Sequence, residues 1–298
     1  MDRSEILRQI QDNIEKLAAS DREEYKYIPL HQKPSPSIVS LKELMHLLRL
    51  VVFPGFFGTT KEAQPDSIHY YMGVYLEKIY DLLQEQIYRG LCFESPECCD
   101  SRQIASEKAV SFINEIPEIK RLLSTDVKAM LDSDPAASSV SEVIFSYPSI
   151  VAIFHQRVAH RLLRLGVPVI PRIVTEMAHS QTGIDIHPGA QIGEYFGIDH
   201  GTGVVIGGTA IIGNHVRLYQ GVTLGAKNFQ LDAEGLPMDI PRHPVIEDDV
   251  IIYSNASVLG RITIGKGSVI GGNIWLTHDV PPYSRVLQSD MIKGKPSF

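Results

Sequence analysis

The sequence has few cysteines, no long apolar run and no cluster of basic residues, and each absence excludes a class of protein. Its three cysteines are Cys92, Cys98 and Cys99 in a chain of 298 residues. An odd number with two adjacent members does not make a disulfide framework, and no further ligands lie at metal-binding spacing from them. Free thiols in a reducing cytoplasm are therefore predicted.

Long apolar segments and basic runs are also absent. The longest apolar stretches, such as 149–154 and 167–170, fall far short of the roughly 18–20 residues that span a membrane. The charged N-terminus lacks the apolar segment of a signal peptide. With 28 Lys and Arg against 35 Asp and Glu, nucleic acid is not an expected partner. These features predict a cytoplasmic protein that binds neither membranes nor nucleic acid.

Residues 1 to about 182 follow helical periodicity. Ser133-Asp134-Pro135 and Tyr147-Pro148 interrupt it as caps or turns, because the residue before a proline avoids the α region. We therefore predict a helical domain over 1–182 that serves oligomerisation. Apolar residues recur at spacings of three and four in the segments 4–19, 40–52, 67–90, 101–116 and 149–165.

From about residue 183 the apolar residues recur every six positions. Neither an α-helix nor a flat strand repeats at six, whereas a parallel β-helix with three short strands in a coil of about 18 residues does. We therefore predict an α+β fold, with an all-α N-terminal domain followed by a left-handed parallel β-helix of hexapeptide repeats over 183–282 and a tail over 283–298. One inward aliphatic residue is expected from each strand, namely Ile186, Ile192, Ile198, Val204, Ala210, Val216, Val222, Ile246, Ile252, Val258, Ile264, Ile270 and Leu276.

The repeat is interrupted once, between 225 and 243. This segment is polar and rich in turn residues. Long insertions in a compact solenoid are usually functional or disordered, and they often lie on the binding face. We therefore predict an inserted loop over 225–243 that contributes to a site.

Ionisable residues concentrate in three short motifs, around Asp185, Asp199-His200 and Arg242-His243. With about 18 residues per coil, Asp185 and His200 fall in adjacent turns. A carboxylate that fixes the tautomer of a histidine makes it a general base. Each histidine alone is more often an ordinary surface or core residue, but the convergence of the three motifs favours catalysis.

The motifs resemble those of serine acetyltransferases. The resemblance covers about half the chain and implies transfer of acetyl from acetyl-CoA to the hydroxyl of L-serine, which gives O-acetyl-L-serine and CoA in the first step of cysteine biosynthesis. It also implies a homotrimer, or a hexamer in which the helical domains pair two trimers. The matching segments are Asp134-Pro135-Ala136, GIDIHPGAQIG, GIDHGTGVVIG, QGVTLGA and RHPVIEDDVIIYSNASVLG.

The resemblance implies a catalytic set of His200, Asp185 and His243. His200 takes the serine hydroxyl proton and Asp185 orients it. The serine oxygen attacks acetyl-CoA directly, without an acyl-enzyme and without a metal, and no cysteine lies near the motifs.

The resemblance also implies which residues bind the substrates. Asp134 and Asp199 hold the ammonium of serine, while Arg242 and His243 hold its carboxylate, as a zwitterion requires. Acetyl-CoA is expected beside three small residues at the matching family positions, Ala226, Ser254 and Gly272.

The chain departs from the family pattern at two places. The loop over 225–243 is longer than in familiar bacterial members. The C-terminus lacks the terminal isoleucine by which many members bind O-acetylserine sulfhydrylase, so that partner is in doubt.

Three other functions fit parts of the sequence. A sugar acetyltransferase shares the repeat but has no need of Asp134 and Arg242. A zinc enzyme resembling the γ-carbonic anhydrases would need a histidine where Val205 stands, although His187, His200, His215 and His243 are available. A non-catalytic trimeric scaffold has no need of the paired motifs.

Overall fold

The structure, a computed structural model, describes residues 2–19, 34–94, 101–228, 231–232, 234–235, 238 and 240–288. The chain divides into two compact units, Met1–Pro34 and Ser35–Phe298. Cys98, Cys99 and the residues after 288 lie outside the described ranges. Cys92, at the end of the third helix, is buried, and the predicted free thiols stay a prediction.

Among its described residues, the first unit contains the amphipathic helix α1 (Arg3–Ala18). The described part of the second unit begins with six helices, and a 3₁₀ turn at Thr60–Ala63 follows the first of them. These are α2 (Ile38–Val52), α3 (Ile68–Glu94), α4 (Ser101–Ser133), α5 (Val140–Ser146), α6 (Pro148–Arg164) and α7 (Ile170–Thr182). The predicted segments correspond to α1, α2, α3, the first half of α4, and α6.

The helical part is longer than its sequence periodicity indicates. Helix α4 continues through Pro117 to Ser133. Proline costs a helix one hydrogen bond, but residues beyond it, such as Leu123 and Met130, are buried in the core and offset that loss. Helix α7 starts with a proline in its first turn and ends at Gly183, whose φ of 70° is left-handed.

After α7 the chain forms short parallel strands. Consecutive strands lie in different sheets, and each strand pairs with the third strand after it, except that β12 pairs with β14. The orders are β1-β4-β7-β10-β13, β2-β5-β8-β11 and β3-β6-β9-β12-β14. This is the predicted left-handed β-helix, with about five turns. The strands are β1 (Asp185–Ile186), β2 (Gln191–Ile192), β3 (Gly197–Asp199), β4 (Val205–Ile206), β5 (Ile211–Ile212), β6 (Arg217–Tyr219), β7 (Thr223–Gly225), β8 (Val245–Ile246), β9 (Ile251–Ile252), β10 (Ser257–Leu259), β11 (Thr263–Ile264), β12 (Val269–Ile270), β13 (Trp275–Leu276) and β14 (Arg285–Val286).

The coil therefore extends to Val286, past the predicted boundary at 282, because β14 pairs with β12. At the other end of the coil, α7 ends at Thr182 and β1 begins at Asp185. In the described part of the chain, no helix combines the length and the apolar character that crossing a membrane requires.

Most strands bury one of their own residues, as predicted, and the turn before the strand usually buries another. The prediction is wrong in placing four of the inward residues in strands, because they lie in the turns before β4 to β7, namely Val204, Ala210, Val216 and Val222. Ile206 of β4 is buried, and so is Val204, two residues earlier. The first coil is also longer than the next. Asp185 pairs with Val205, twenty residues on, whereas Val205 pairs with Thr223, eighteen residues on. Because of the two extra residues, a count of six from Ile198 reaches the buried turn residue Val204 and misses the strand residue Ile206. In β4 to β7 the inward strand residues are Ile206, Ile212, Leu218 and Leu224.

A buried ion pair joins the helices to the first coil. Arg157 on α6 donates to both carboxylate oxygens of Asp126 on α4, at 3.1 and 2.9 Å. It also donates to the carbonyls of Ile192 and Gly193, at 2.7 and 2.6 Å, and the Phe196 N–H donates to Asp126 at 3.1 Å. The side chains of Asp126 and Arg157 are only 0% and 5% exposed. This network fixes the end of α4 relative to the coil, and with it the loop that carries Asp134.

Candidate functional site

Two extra residues at the corner after β3 expose His200. Ile198 and Ile206 occupy equivalent strand positions eight residues apart, where the repeat needs six. His200 has a φ of 57° and Gly201 one of 90°. A side chain on Gly201 would be strained at that φ and would approach Ile184 to 2.5 Å. The corner therefore projects from the coil, and the His200 side chain is 72% exposed.

Two acidic residues, Asp199 and Asp134, lie near His200. Its Nε2 lies 3.8 Å from Asp199 Oδ1, beyond hydrogen-bond distance. Asp134 faces the same corner, and hydrogen bonds from Tyr147 and the Ala136 N–H, with the charges of His200 and Arg217, hold its pKa below the usual value. The structure thus places Asp134 and Asp199 near His200, and their roles in a site stay a prediction. We call this corner of the coil, together with Arg217 on β6 and the helical-part residues Asp134 and Tyr147 beside it, the acidic edge.

The other predicted pair, Arg242 and His243, lies at the corner after β4. The hydroxyl of Thr209 accepts the backbone N–H groups of Arg242 and His243, at 2.9 and 3.1 Å. The Thr209 N–H donates to His243 Nδ1 at 3.1 Å. Because Nδ1 accepts, neutral His243 carries its proton on Nε2. Thr209 thus fixes the end of the inserted loop.

This corner is basic, and we call it the basic edge. Arg261 Nη1 donates to the carbonyls of Thr209 and His243, at 2.8 and 3.0 Å. Burial, followed by the charges of Arg242, His187 and Arg261, lowers the pKa of His243. A histidine that stays neutral among arginines can donate to an anion from Nε2. The edge therefore fits a carboxylate.

Strand β4 separates the two edges. At about 3.3 Å per residue, the four steps from Gly203 to Gly207 span roughly 13 Å. The zwitterion of a small amino acid is much shorter than that. Within the described residues of a single chain, its two ends therefore do not reach both edges.

Asp185 lies on β1 beside α7. Arg172 Nη2 is 3.9 Å from its carboxylate. Its carboxylate also groups with Glu176 and His179, with one ligand atom from each residue within 4.8 Å of the others. The contacts of Asp185 thus lead to α7, and its role in orienting His200 remains a prediction.

The three expected cofactor residues divide between the edges. Ser254 and Gly272 follow β9 and β12, on the corner that also carries His200. They lie in adjacent coils, since a Cβ on Gly272 would be 3.1 Å from the Ser254 carbonyl oxygen. Ala226 follows β7, on the corner that carries Arg242.

Sequence reasoning missed Tyr147 and Thr209 as site residues. The Tyr147 hydroxyl donates to Asp134 Oδ2 at 2.5 Å. In the sequence, Tyr147 stands out only as the residue before a proline. Thr209 and His243 occupy equivalent positions in neighbouring coils, each two residues before a paired strand residue. Ile211 pairs with Val245, 34 residues on, and His243 lies the same number of residues after Thr209.

The comparisons with known proteins identify similar chains. No family model matches the chain. It is 52% identical over 266 residues to a plasmid serine acetyltransferase of Synechococcus elongatus, covering 87% of this chain and 83% of the relative.

Two solved structures add to this similarity. Entamoeba histolytica serine acetyltransferase 1 in complex with L-cysteine matches with a TM-score of 0.72 and 34% identity, over 89% of this chain and 92% of the other. Soybean serine acetyltransferase complexed with serine matches with a TM-score of 0.55 and 26% identity, over 87% of this chain and 98% of the other.

Proposed function

The chain belongs to the serine acetyltransferase family, and we propose that it transfers the acetyl group of acetyl-CoA to the hydroxyl of L-serine by direct attack, with His200 as the general base. The observation that carries this proposal is the division of charge between two corners of the coil. Asp134 and Asp199 stand at one edge, while Arg242 and His243 stand at the other.

Each edge fits one end of an amino acid. The carboxylates of Asp134 and Asp199 receive the ammonium, and the fork of Arg242 with Nε2–H of His243 receives the carboxylate. The soybean relative is complexed with serine and the Entamoeba relative with L-cysteine. Both ligands have the two charged ends that this arrangement holds.

His200 performs the proton transfer. Its neutral ring takes the serine hydroxyl proton as the oxygen attacks the thioester carbonyl, and nearby Asp199 stabilises the imidazolium that forms. Collapse of the tetrahedral intermediate breaks the carbon–sulfur bond. The proton passes from His200 to the CoA sulfur, which leaves as the thiol, and Asp185 serves as the orienting residue.

The site forms between two neighbouring chains. One chain supplies the acidic edge with His200, Ser254 and Gly272, and its neighbour supplies the basic edge with Arg242 and Ala226. The separation of the edges within one chain supports this assembly, which agrees with a cytoplasmic homotrimer or a hexamer paired through the helical domains.

The test is release of free CoA thiol from acetyl-CoA with L-serine as the acceptor. His200→Asn is expected to lower kcat by roughly 10²–10⁴ with little effect on KM for acetyl-CoA. Asparagine tolerates the left-handed backbone at this position. The matched control is His215→Asn, since His215 has a φ of 58° and stacks on Tyr195 at another corner. Near wild-type turnover in His200→Asn would exclude His200 as the base.

A further inference from the structure

We propose that Tyr147 is a positioning residue, whose hydroxyl fixes the carboxylate of Asp134 in the orientation that receives the substrate ammonium. This inference rests on the proposed function of the acidic edge. It adds a residue that touches neither the reacting atoms nor acetyl-CoA.

Both oxygens of Asp134 are held. The Ala136 N–H donates to Oδ1 at 2.8 Å, and the Tyr147 hydroxyl donates to Oδ2 at 2.5 Å. The Asp134 N–H bonds the Met130 carbonyl at 3.0 Å, so the residue also continues the end of α4. A carboxylate held at both oxygens cannot rotate, and its remaining lone pairs point in fixed directions.

Tyr147 is itself fixed by a buried element. It directly precedes Pro148, the first residue of α6. Its N–H bonds the Val143 carbonyl at 3.3 Å. Helix α6 is joined to the coil through Arg157, which bonds Asp126 and the carbonyls before β3. The position of Asp134 opposite His200 therefore depends on packing of α6, as well as on the loop between α4 and α5.

The hydroxyl is a suitable donor because it carries no charge. Its hydrogen bond to Asp134, together with burial and the charges of Asp134, Glu142 and Asp199, raises the pKa of Tyr147 to about 12. The hydroxyl therefore remains protonated at pH values near neutrality. A lysine or arginine here would neutralise Asp134, whereas tyrosine orients the carboxylate and leaves its negative charge for the ammonium.

The test is steady-state kinetics of Tyr147→Phe. Loss of a hydrogen bond to a charged group is expected to raise KM for serine about 5- to 50-fold. KM for acetyl-CoA should change less than roughly twofold, because Tyr147 contacts the amino-acid end of the site only. The matched control is Tyr80→Phe, which removes a hydroxyl paired with Ser106 Oγ at 2.9 Å in the helical part. Both KM values should stay at their wild-type level in the control.

A double-mutant cycle separates positioning from a structural role. If Tyr147 acts through Asp134, adding Tyr147→Phe to Asp134→Asn should raise KM for serine no further. An unchanged KM in Tyr147→Phe, with or without a lower melting temperature, overturns the inference, and so do additive effects in the cycle. A wild-type chain that releases no thiol with serine refutes the proposed function instead, so the two failures are distinguishable.

Discussion

At the scale of single residues, the corner of His200 shows how backbone geometry sets exposure. Two residues beyond the six-residue repeat, a histidine at φ 57° and a glycine at φ 90°, lift the ring away from the coil. The sequence identifies the residues of this corner as a motif, but it does not show that the corner is two residues longer than the repeat. Val204, six residues after Ile198, is also apolar and buried, although it lies in the turn before β4. The six-residue pattern of apolar residues therefore continues through the insertion and does not reveal it.

The same limit explains which site residues were missed. The sequence identifies Asp134, Asp199 and His200 because they lie in recognisable motifs, and the structure places them at one edge. Tyr147 and Thr209 act through hydrogen bonds to partners 13 and 34 residues away. Such contacts depend on how α6 packs and how the coils pair, and a local pattern does not contain that information.

One buried histidine outside the site links stability to pH. His155 bonds the Val151 carbonyl through Nδ1 at 2.8 Å. Burial lowers its pKa to about 4, whereas an unfolded histidine titrates near 6.5. Above pH 6.5 both states are neutral. Below it the unfolded chain takes up the proton and the folded chain does not, so stability falls until about pH 4.

This shift predicts a loss of about 2 kcal/mol from His155 between pH 7 and pH 5. The measurement is the free energy of unfolding by urea at both pH values. In His155→Gln the difference between the two pH values should shrink by about that amount. An identical pH difference in the variant and the wild type would show that His155 does not stay neutral in the folded state.

At the scale of elements, hexapeptide periodicity predicts the coil but not its attachment to the helices. That attachment depends on Asp126 and Arg157, whose pairing is not visible in the sequence because they are distant and lie on different helices. A prediction from apolar periodicity likewise ends α4 just before Pro117. It does not include the burial of the α4 residues after Pro117, which offsets the hydrogen bond that the proline removes.

The buried pair should dominate the stability of this attachment. Arg157→Met leaves Asp126 charged and buried, which typically costs about 3–5 kcal/mol. Adding Asp126→Leu removes that charge and should recover part of the loss. The measurement is again urea unfolding. Lys128→Met, which breaks an exposed pair with Asp132 at 2.8 Å, is the control and should cost less than about 1 kcal/mol. Equal losses in Arg157→Met and Lys128→Met would contradict this account.

At the scale of the whole molecule, the proposed site takes residues from two chains, because the two edges lie too far apart within one chain to hold a single amino acid. The helical part carries Asp134 to one edge, and the inserted loop carries Arg242 to the other. The motifs in the sequence do not show that the two edges of one site come from different chains, because that assignment depends on the distance between the edges.

Mixed oligomers test that division. Chains with His200→Asn and chains with Arg242→Ala, each poorly active alone, should regain activity when they are co-expressed. In a ring with equal, random mixing, about a quarter of the sites combine an intact acidic edge with an intact basic edge. Thiol release at serine concentrations below KM measures the recovery. A mixture no more active than the average of its parents would place both edges of a working site in one chain.

The most direct test of the central claim is the choice of acceptor. Serine, ethanolamine, glycerate, glucose and a galactoside are each incubated with the enzyme and acetyl-CoA, and free thiol is followed. Losing one charged end leaves the opposing residues desolvated and unpaired, which typically costs about 2–5 kcal/mol. Serine should therefore react well, ethanolamine and glycerate should be poorer by roughly a hundredfold or more, and the sugars should release no thiol above background. A sugar that reacts faster than serine would contradict the account.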